Sequence, residues 1–333
     1  MKLCMIGTGY VGLVSGTCFA DIGNQVYCVD NDEKKINKLN SGISPIYEPG
    51  LDELIKKNFK AKRLIFTTDL KKAITSSDII FICVGTPNKK GSLQVDLSFV
   101  YKCIKQVFLF TKNKKIIVTK STVPVGTGDE IEKIIKKKKK LFSVISNPEF
   151  LREGEAIRDF RYPDRILIGS NSKNEYNIMK KLYAPIINKG AKFFTTSRRG
   201  AELIKYAANA FLATKITFIN EIANLCEKSG INVEDVALGI GSDTRIGGRF
   251  LRAGPAYGGS CFPKDTKGLV SVAEKYKINL SIVKSVIKSN RKRVDLLIAR
   301  VPKILGKNLR GKKISFLGVT FKPNTDDMRD STS

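Results

Sequence analysis

The sequence predicts an α/β protein: an N-terminal Rossmann-type parallel sheet, a long central helix with an all-α middle domain, and the start of a second Rossmann-like domain. Three observations predict this architecture. Short apolar runs alternate with amphipathic helical patterns up to about residue 196, a long helical pattern follows, and a strand-like run recurs near the end. Strands that alternate with helices in this way are typical of a parallel sheet covered on both faces.

Seven strands are expected in the first part of the chain, because each short apolar run is bounded by polar or glycine residues. The candidates are Leu3–Ile6, Gln25–Val29, Ile79–Val84, Ile116–Thr119, Ser143–Ile145, Arg165–Ile168 and Lys192–Thr195. The helical stretch that follows, GAELIKYAANAFLATKITFINEIANLCEKSG, contains no proline and ends at Gly230, a residue that favours helix termination. It is too long for a crossover helix, so we expect it to join two halves of the protein.

Near its end the sequence repeats the pattern of its beginning. GKKISFLGVTFKP, residues 311–323, has a basic start, an apolar run and a glycine, as MKLCMIGTGYVG does. We therefore expect the first strand of a further α/β domain. Because the sequence stops at Ser333, we expect that domain to be incomplete in this chain. The expected domain limits are 1–196, 197–303 and 304–333.

The composition is strongly basic, with 59 Lys and Arg residues against 31 Asp and Glu residues and a net charge of +28. The basic residues are spread over the whole chain, and the one long run, Lys136–Lys140, lies at the end of an amphipathic helical pattern. Because aromatic residues do not alternate with basic ones as in RNA-binding modules, we expect no nucleic-acid partner.

The apolar runs of the sequence are short. None approaches the ~18 residues that a membrane-spanning helix needs, so no membrane segment is expected. The N-terminal apolar residues run directly into a glycine-rich turn, which argues against a signal peptide and favours a cytoplasmic location.

The seven cysteines indicate one reactive position rather than a disulfide or metal framework. Six lie in apolar strand-like or helix-like contexts, where small core residues are expected: Cys4, Cys18, Cys28, Cys83, Cys103 and Cys226. No CxxC pair occurs and the chain has no histidine, so we expect no metal site and no Cys–His catalytic pair. The seventh, Cys261, lies in AYGGSCFPKD, between a glycine pair and a Pro-Lys-Asp run.

IGTGYVG, residues 6–12, has the G-x-G-x-x-G spacing of a dinucleotide-binding turn, follows a predicted strand and opens a predicted helix. In such a turn Gly7 makes the tight bend, Gly9 lets the backbone approach a pyrophosphate, and Gly12 lets the helix pack on the strand. The next strand is followed by Asp30, whose carboxylate accepts hydrogen bonds from a ribose diol and repels a 2′-phosphate. The sequence therefore predicts NAD rather than NADP.

Further polar residues are candidates for the cofactor and substrate sites. Thr86 in VGTPN and Thr122 in KSTVPVGT follow strands, where parallel sheets bind ligands, and both could donate a hydroxyl hydrogen bond. Four clusters supply charged or amide groups: Glu149, Arg152 and Glu153; Lys205 and Asn209, four apart on the long helix; Arg245, Arg252, Cys261, Lys264 and Asp265; and Lys322 and Arg329.

A reactive cysteine in this chain needs cations, since a thiol attacks only as its thiolate and no histidine is present. Lys205, Lys264 and the positive charge of a nicotinamide are the candidates that could lower the pKa of Cys261. Such a thiolate suits an aldehyde acceptor. It adds to the carbonyl, the hemithioacetal gives up a hydride to the cofactor, and water cleaves the thioester that remains.

Long runs of this sequence resemble the nucleotide-sugar 6-dehydrogenases, the UDP-glucose/GDP-mannose dehydrogenase family. The runs are GTGYVG, STVPVGT, NPEFLREG, PDRILIG, ELIKYAANAFLATKITFINEIA, RIGGRFLRAGPAYGGSCFPKD and GVTFKPNTDDMRDS, and the resemblance covers essentially the whole chain. PDRILIG and RIGGRFL are similar to the UDP-glucose branch rather than to the GDP-mannose or UDP-N-acetylmannosamine branches.

The resemblance implies that the C6 alcohol of UDP-glucose is oxidised to the carboxylate of UDP-glucuronate, with two NAD⁺ reduced. It implies an NAD-binding domain over 1–196, a dimerisation and catalytic domain over 197–303, a homodimer formed through the central helix, and the first strand and loop of a UDP-binding domain over 304–333. Catalytic residues carried over from the family are Cys261 as nucleophile, Lys205, Asp265, Asn209, Glu153 and Thr122.

The resemblance also implies two sets of binding residues. The cofactor set is Gly7, Gly9, Tyr10, Val11, Gly12, Asp30, Lys35, Thr86, Thr122, Glu153, Lys264 and Arg329. The substrate set is Glu149, Phe150, Leu151, Arg152, Lys205, Asn209, Arg245, Phe250, Leu251, Arg252, Ala253, Gly254, Tyr257, Gly258 and Lys322. Within it, Arg245 resembles an arginine that reaches across a dimer interface to the partner's substrate.

Other functions stay open at this point. The same chemistry could act on GDP-mannose or UDP-N-acetylmannosamine, or the chain could be a non-catalytic dimeric scaffold; a nucleic-acid binder rests on charge alone. Because relatives of this kind continue through a complete C-terminal domain, we expect residues 1–333 to bind NAD and to turn over UDP-glucose weakly or not at all.

Overall fold

Eight strands form one sheet in the computed structural model, which describes residues 1–332, the side chain of Lys139 excepted. The strands are β1 (Lys2–Ile6), β2 (Gln25–Val29), β3 (Leu64–Thr67), β4 (Ile79–Ile82), β5 (Lys115–Thr119), β6 (Phe142–Ser146), β7 (Arg165–Gly169) and β8 (Lys192–Thr196). Their order across the sheet is β3-β2-β1-β4-β5-β6-β7-β8. The predicted Rossmann-type α/β fold is confirmed.

The sheet is parallel except at one junction. Strands β6 and β7 pair antiparallel through Ser146 and Gly169, whereas β7 and β8 are again parallel to each other. All seven predicted strands form. The eighth, β3, was not expected, because LIFT is only four residues long and carries too little pattern to be distinguished from a loop.

Helices cover both faces of this sheet. They are α1 (Tyr10–Asp21), α2 (Glu33–Asn40), α3 (Leu51–Lys60), α4 (Leu70–Thr75), α5 (Ser98–Phe110), α6 (Thr127–Ile135), α7 (Ala156–Arg161), α8 (Lys173–Leu182) and α9 (Ala184–Ile187), with a 3₁₀ segment over Lys136–Leu141. Strand β4 shows the consequence for the core, because its four residues IIFI are all buried. Ile79 and Phe81 pack into one apolar cluster, and Ile80 and Ile82 into the cluster on the other face.

A 32-residue helix, α10 (Arg198–Ser229), follows the sheet and begins a run of helices without strands. The others are α11 (Val233–Gly241), α12 (Phe262–Lys275), α13 (Ser281–Ile298) and α14 (Val301–Leu305). In the part of the chain that the structure describes, no helix combines the length and apolar character needed to cross a bilayer.

The chain divides into two compact units. The first contains Met1–Lys90, Val95–Lys205 and Asn324–Asp326, and the second contains Gly91–Gln94, Tyr206–Pro323 and the residues from Asp327 onward. The predicted domain limits, 1–196, 197–303 and 304–333, stay predictions, and Ser333 lies outside the described residues.

The strand expected in residues 311–323 does not form. After α14 the described chain contains neither helix nor strand, and the apolar side chains of this stretch are exposed, Phe316 at 71% and Leu317 at 98%. A strand needs the backbone of a neighbour for its hydrogen bonds, and residues 1–332 place no strand beside this segment. Its pattern alone was therefore insufficient to form the element.

Candidate active site

The glycine-rich turn after β1 has the geometry of a phosphate cradle. Gly7 has φ +103°, and a Cβ built there would lie 2.7 Å from the carbonyl oxygen of Cys83. A Cβ at Gly12 would lie 1.9 Å from the carbonyl oxygen of Gly7, whereas at Gly9 it would meet nothing within 4 Å. Gly9 is also the N-cap of α1 and makes no side-chain cap. The turn thus leaves open space at a helix N-terminus, which favours an anionic group.

Asp30, the residue after β2, is held in place by three hydrogen bonds to its carboxylate. Thr8 donates its backbone N–H at 2.9 Å and its hydroxyl at 2.7 Å, and the backbone N–H of Asp32 donates at 3.2 Å. The Nζ of Lys35 lies 4.0 Å away. Partial burial raises the pKa of Asp30, but these donors outweigh it and hold that pKa below its usual value.

The geometry of the turn and of Asp30 fits NAD. The open backbone at Gly9 has room for a pyrophosphate, and an ionised carboxylate at Asp30 is an acceptor for a ribose diol. Tyr10 and Val11, two further residues of the predicted cofactor set, form the first turn of α1.

Two threonines that follow neighbouring strands are joined by a hydrogen bond, and their predicted contacts with the cofactor stay a prediction. The hydroxyl of Thr86, after β4, donates to the carbonyl oxygen of Thr122, after β5, at 2.9 Å. Ser121 adds a second link by donating to the carbonyl oxygen of Val84 at 2.7 Å. The loops that follow β4 and β5 are therefore fastened to each other at the carboxyl edge of the sheet.

Lys205 of α10 forms a buried ion pair in the first unit. Its Nζ lies 3.1 Å from Glu149 Oε1, and the two side chains are only 5% and 6% exposed. The same ammonium lies 5.1 Å from the centre of the Phe150 ring. Since a buried charge is costly unless it is paired, the structure commits Lys205 and Glu149 to one another.

Arg152 pairs instead with carboxylates at the start of the helix that follows its loop. It forms ion pairs of 2.6 Å with Glu155, the N-cap of α7, and of 2.6 Å with Asp159 within α7. The hydrogen bond to Asp159 raises the pKa of Arg152 above its usual value. Of the predicted substrate residues in NPEFLREG, Arg152 is thus engaged in holding the loop, whereas Leu151 next to it packs against the core.

Glu48 is a residue that the sequence analysis missed. It is 5% exposed, and its carboxylate accepts hydrogen bonds from the backbone N–H groups of Gly154 at 2.6 Å and Ala156 at 2.7 Å, and from the Tyr10 hydroxyl. Glu48 therefore fastens the loop that carries Glu153 to the helix that follows the dinucleotide turn. Only the YEPG sequence hinted at it, since an isolated glutamate before Pro-Gly has no periodic signal.

Glu153, a predicted catalytic and cofactor residue, is buried in the first unit. It is 8% exposed, and its carboxylate accepts a hydrogen bond of 3.4 Å from the hydroxyl of Thr325. Gly154, the next residue, has φ +83°, and a Cβ there would lie 2.5 Å from the carbonyl oxygen of Asn324. The 324–326 segment is thus seated directly on this loop.

Cys261 differs from the other six cysteines in exposure. It is half-buried, whereas the others are buried. Burial raises the pKa of Cys18 and of Cys83 to about 12 and that of Cys103 to about 11, so these thiols stay protonated and inert. Cys261 is the N-cap of α12, and the hydroxyl of Ser260 lies 3.7 Å from its sulfur.

A polar cluster surrounds Asp265 in the second unit. Asp265 is fully buried, and its carboxylate accepts a hydrogen bond of 2.6 Å from the Asn209 amide and forms an ion pair with Lys264. Asn209 is one helical turn after Lys205 on α10, as predicted. The structure thus brings Asn209 of α10 to Lys264 and Asp265, which lie in the first turn of α12 after Cys261.

The remaining predicted substrate and cofactor residues lie in loops of the second unit. Leu251 and Tyr257 are buried, Phe250, Ala253, Gly254 and Gly258 are half-buried, and Arg252 is exposed. Three long cations have local contacts: Arg245 with Asp243 at 2.6 Å, Arg329 with Asp327 at 2.7 Å, and Lys322 with the Phe321 ring at 5.6 Å.

Comparison with known proteins identifies the family. The NAD-binding domain of the UDP-glucose/GDP-mannose dehydrogenase family matches residues 1–187, and its central domain matches residues 199–292. A UDP-glucose 6-dehydrogenase of Rhizobium meliloti is 54% identical over 99% of this chain and 77% of the relative, and one of Rickettsia felis is 50% identical over 99% and 74%.

Solved structures give the same result. A UDP-glucose dehydrogenase from Pyrobaculum islandicum superposes with a TM-score of 0.94 at 37% identity, covering 99% of this chain and 77% of that one. A UDP-D-ManNAc dehydrogenase from Pyrococcus horikoshii superposes with a TM-score of 0.89 at 26% identity, covering 100% and 79%. NAD is accordingly the cofactor for which residues 1–187 are built. This chain, an oxidoreductase by these matches, belongs to the UDP-glucose/GDP-mannose dehydrogenase family.

Proposed function

We propose that this chain oxidises the C6 alcohol of UDP-glucose to the carboxylate of UDP-glucuronate, with Cys261 as the nucleophile. The observation that carries the proposal is the position of Cys261, which is the one cysteine of seven that is not buried and which caps the helix bearing Lys264 and Asp265. The relatives named UDP-glucose 6-dehydrogenase, 50–54% identical, support UDP-glucose as the substrate.

The proposed reaction removes four electrons in two steps. The C6 alcohol loses a proton to a base and a hydride, which gives an aldehyde. The Cys261 thiolate then adds to the aldehyde carbon, the resulting hemithioacetal loses a second hydride, and water cleaves the thioester to carboxylate and free thiol. Bound NAD⁺ supplies the hydride acceptor, and one molecule is reduced in each step.

Lys205, the cluster at Asp265 and Glu153 are assigned the proton transfers and the stabilisation of charge. The Lys205 ammonium stabilises the oxyanion on C6, an effect worth about 3 kcal/mol by analogy with other oxyanion donors. Asp265, oriented by the Asn209 amide, receives the alcohol proton through a water molecule. Glu153 directs the water, held by Thr122, that cleaves the thioester. The contacts of Lys205, Asn209 and Asp265 described above support these roles, because paired and buried groups are held in fixed orientations.

The binding residues are proposed on the same basis. The cofactor is assigned to the glycine turn, Asp30 and Lys35, with Thr86, Thr122, Glu153, Lys264 and Arg329. The nucleotide-sugar is assigned to Glu149 to Arg152, Phe250 to Gly254, Tyr257, Gly258, Lys322 and an Arg245 from a second copy of the chain. Support for the first assignment is the open cradle at Gly9 and the ionised Asp30.

We also propose that the protein is a homodimer that pairs through α10. Three large apolar residues recur every seven positions on this helix and are exposed, Phe211 at 66%, Phe218 at 50% and Leu225 at 63%. A continuous exposed apolar stripe of this kind is typical of a surface covered by a partner. Light scattering should give a dimeric mass, and Phe218→Glu should shift it towards the monomer while Lys228→Glu on the same helix should not.

The test of the proposed function is a product analysis with three substrates. Purified protein at stoichiometric concentration is incubated with NAD⁺ and, separately, UDP-glucose, GDP-mannose and UDP-N-acetylmannosamine, and the acids are detected by mass spectrometry. We expect UDP-glucuronate with two NADH per acid, and stoichiometric enzyme makes even slow turnover visible. Faster acid formation from either other nucleotide-sugar would show that the substrate assignment is wrong. Accumulation of the aldehyde with one NADH per product, and no acid, would show that the four-electron scheme is wrong.

A further inference from the structure

The loop that leads to Cys261 contains backbone that L-residues rarely adopt. Residues 250–260, here called the cysteine loop, connect α11 to α12 and contain no helix or strand. Phe250 has φ +66° and Ala256 has φ +153°, although neither is glycine. Such conformations are strained and persist only where the surroundings hold them. Some contact must therefore hold this loop.

The contacts that hold it come from the side chains of two helices, α10 and α13. Gly254 donates its N–H to Asn220 Oδ1 at 2.8 Å, and its carbonyl oxygen accepts from Arg293 Nε at 3.1 Å. Tyr257 donates its N–H to Asn290 Oδ1 at 2.9 Å, and its carbonyl oxygen accepts from Asn290 Nδ2 at 2.9 Å. The backbone on both sides of Ala256 is thus bonded through donor and acceptor alike.

Asn290 pairs with Tyr257 as one strand residue pairs with another. Its amide carries a donor and an acceptor in one plane, which matches the N–H and C=O of a single residue. Aspartate at this position keeps the acceptor and loses the donor, so the two halves of the contact are separable by substitution.

Arg293 connects the other end of the loop to α10. Besides the Gly254 carbonyl it donates to the carbonyl oxygen of Asn220 at 3.4 Å and to the side chain of Asn224. The guanidinium therefore fixes the same helix residue, Asn220, that receives the Gly254 N–H. Gly254 is bonded to α10 and to α13 at once.

Aromatic packing transmits the position of the loop to the helix that begins at Cys261. The Tyr257 ring lies 6.1 Å from the Phe262 ring at 86°, and the Phe250 ring lies 6.1 Å from it at 61°. Both are edge-to-face arrangements, which fix relative orientation. Because Phe262 follows Cys261 directly, a shift of Tyr257 displaces the residue next to the thiol.

We propose that Asn290 and Arg293 are positioning residues for this reaction: they hold the cysteine loop in the conformation that receives the nucleotide-sugar and that aims Cys261. Neither is in the site assigned above, and neither is placed against substrate or cofactor. The role in catalysis depends on the proposed function, whereas the role in holding the loop does not. Small displacements of a catalytic group lower the rate by large factors, so a displaced Cys261 should give a measurable loss of activity.

The experiment compares Asn290→Ala, Asn290→Asp and Arg293→Lys with the wild type and with Lys288→Ala, an exposed residue of the same helix. Hydrogen exchange of the peptide covering 250–260 and iodoacetamide alkylation of Cys261 report on the loop without substrate. In Asn290→Ala we expect faster hydrogen exchange of the loop and a change of about tenfold or more in the alkylation rate of Cys261. Asn290→Asp should give intermediate rates, and Lys288→Ala should give the wild-type rates. NAD affinity should stay close to wild type.

Catalysis is measured in a second arm, as UDP-glucuronate formed per enzyme. If the wild type forms acid, Asn290→Ala should lower kcat/KM by about tenfold or more, with kcat affected as well as KM because the thiol itself is displaced. If the wild type forms no acid, the proposed function fails while the loop measurements still decide the inference. Wild-type exchange and alkylation in a folded Asn290→Ala protein would overturn it, as would equal losses in Lys288→Ala. If Asn290→Ala does not fold, Asn290→Asp and Arg293→Lys, which keep charge or shape, give the same comparison.

Discussion

The dinucleotide turn and the cysteine loop both contain backbone with positive φ, but different groups hold it. In the turn the residue is glycine, Gly7, and its N–H bonds to the carbonyl oxygen of Val29 at 2.8 Å, backbone to backbone. In the loop the residues are Phe250 and Ala256, and side chains 33 to 39 residues away hold the backbone of Gly254 and Tyr257, on either side of Ala256.

The difference shows what each region requires. A turn whose conformation is intrinsic to glycine needs only the adjacent strands and forms wherever the motif forms. A loop whose conformation is imposed by other helices forms only when those helices are in place. NAD binding by the first unit should therefore tolerate changes in the helices of the second unit, whereas the chemistry proposed at Cys261 should not.

The largest effect on activity is expected from substitution of Cys261, the proposed nucleophile. Cys261→Ala should lower UDP-glucuronate formation by about 10³-fold or more, because no other group in the site can form the thioester. NAD affinity should be unchanged, since the cofactor cradle belongs to the first unit. Cys103→Ala, which removes a buried thiol, is the matched control and should keep activity. Acid production by the Cys261 variant at the control's rate would end its assignment as nucleophile.

The second test separates the two roles of glycine in the turn. Gly7→Ala forces positive φ on alanine and places its Cβ 2.7 Å from the Cys83 carbonyl oxygen, so it should cost about 1–3 kcal/mol of stability as well as NAD affinity. Gly9→Ala meets no protein atom, so it should leave the melting temperature unchanged and weaken NAD alone. Thermal melts and calorimetric titrations of both variants decide this. A destabilised Gly9→Ala would mean that the space above Gly9 is not kept for a ligand.

A third test concerns the charge of Asp30. Asp30→Asn should weaken NAD binding by about tenfold, because the ribose loses a charged acceptor, and should narrow the preference for NAD over NADP. Since the pKa of Asp30 is lowered in the folded protein, its contribution to stability is present above the unfolded pKa and is lost as pH falls through the folded pKa. Urea unfolding at pH 7 and in acid should therefore show a smaller acid loss for the variant. An equal loss of stability in acid in both proteins would show that the titration of Asp30 does not contribute to the pH dependence of stability.

A fourth test concerns the titration of Glu202, a buried residue of α10. Glu202 is 3% exposed, and burial raises its pKa to about 7. Hydrogen bonds from the N–H groups of Gly126 and Gly128 and from the Ser146 hydroxyl lower the pKa, but they do not offset the effect of burial. A raised folded pKa means that stability is fully present below the unfolded pKa and is lost as pH rises through about 7. Glu202→Gln should therefore lose less free energy of unfolding than the wild type between pH 5 and 8, measured by urea unfolding. Parallel stability curves for the two proteins would contradict a titrating Glu202.

Local pattern was enough for most of the first unit. Seven of the eight strands and the glycine turn could be predicted because each depends on residues adjacent in the chain. The strand in LIFT was too short to recognise, and Glu48 gave no signal because its hydrogen-bond partners lie elsewhere in the sequence. The strand expected near residue 316 shows the opposite error, since a correct local pattern without a paired neighbour does not form a strand.

The sequence by itself determined the α/β class and predicted the dinucleotide turn, Asp30 and Cys261 as site residues, because spacing, composition and the absence of histidine are properties of the chain alone. Only the tertiary structure decided that Lys205 pairs with Glu149, that Asn209 and Lys264 meet at Asp265, and that Asn290 and Arg293 hold the cysteine loop. These contacts join residues that are distant in sequence or buried together, and which partners share a buried volume depends on how helices and strands pack rather than on any local pattern.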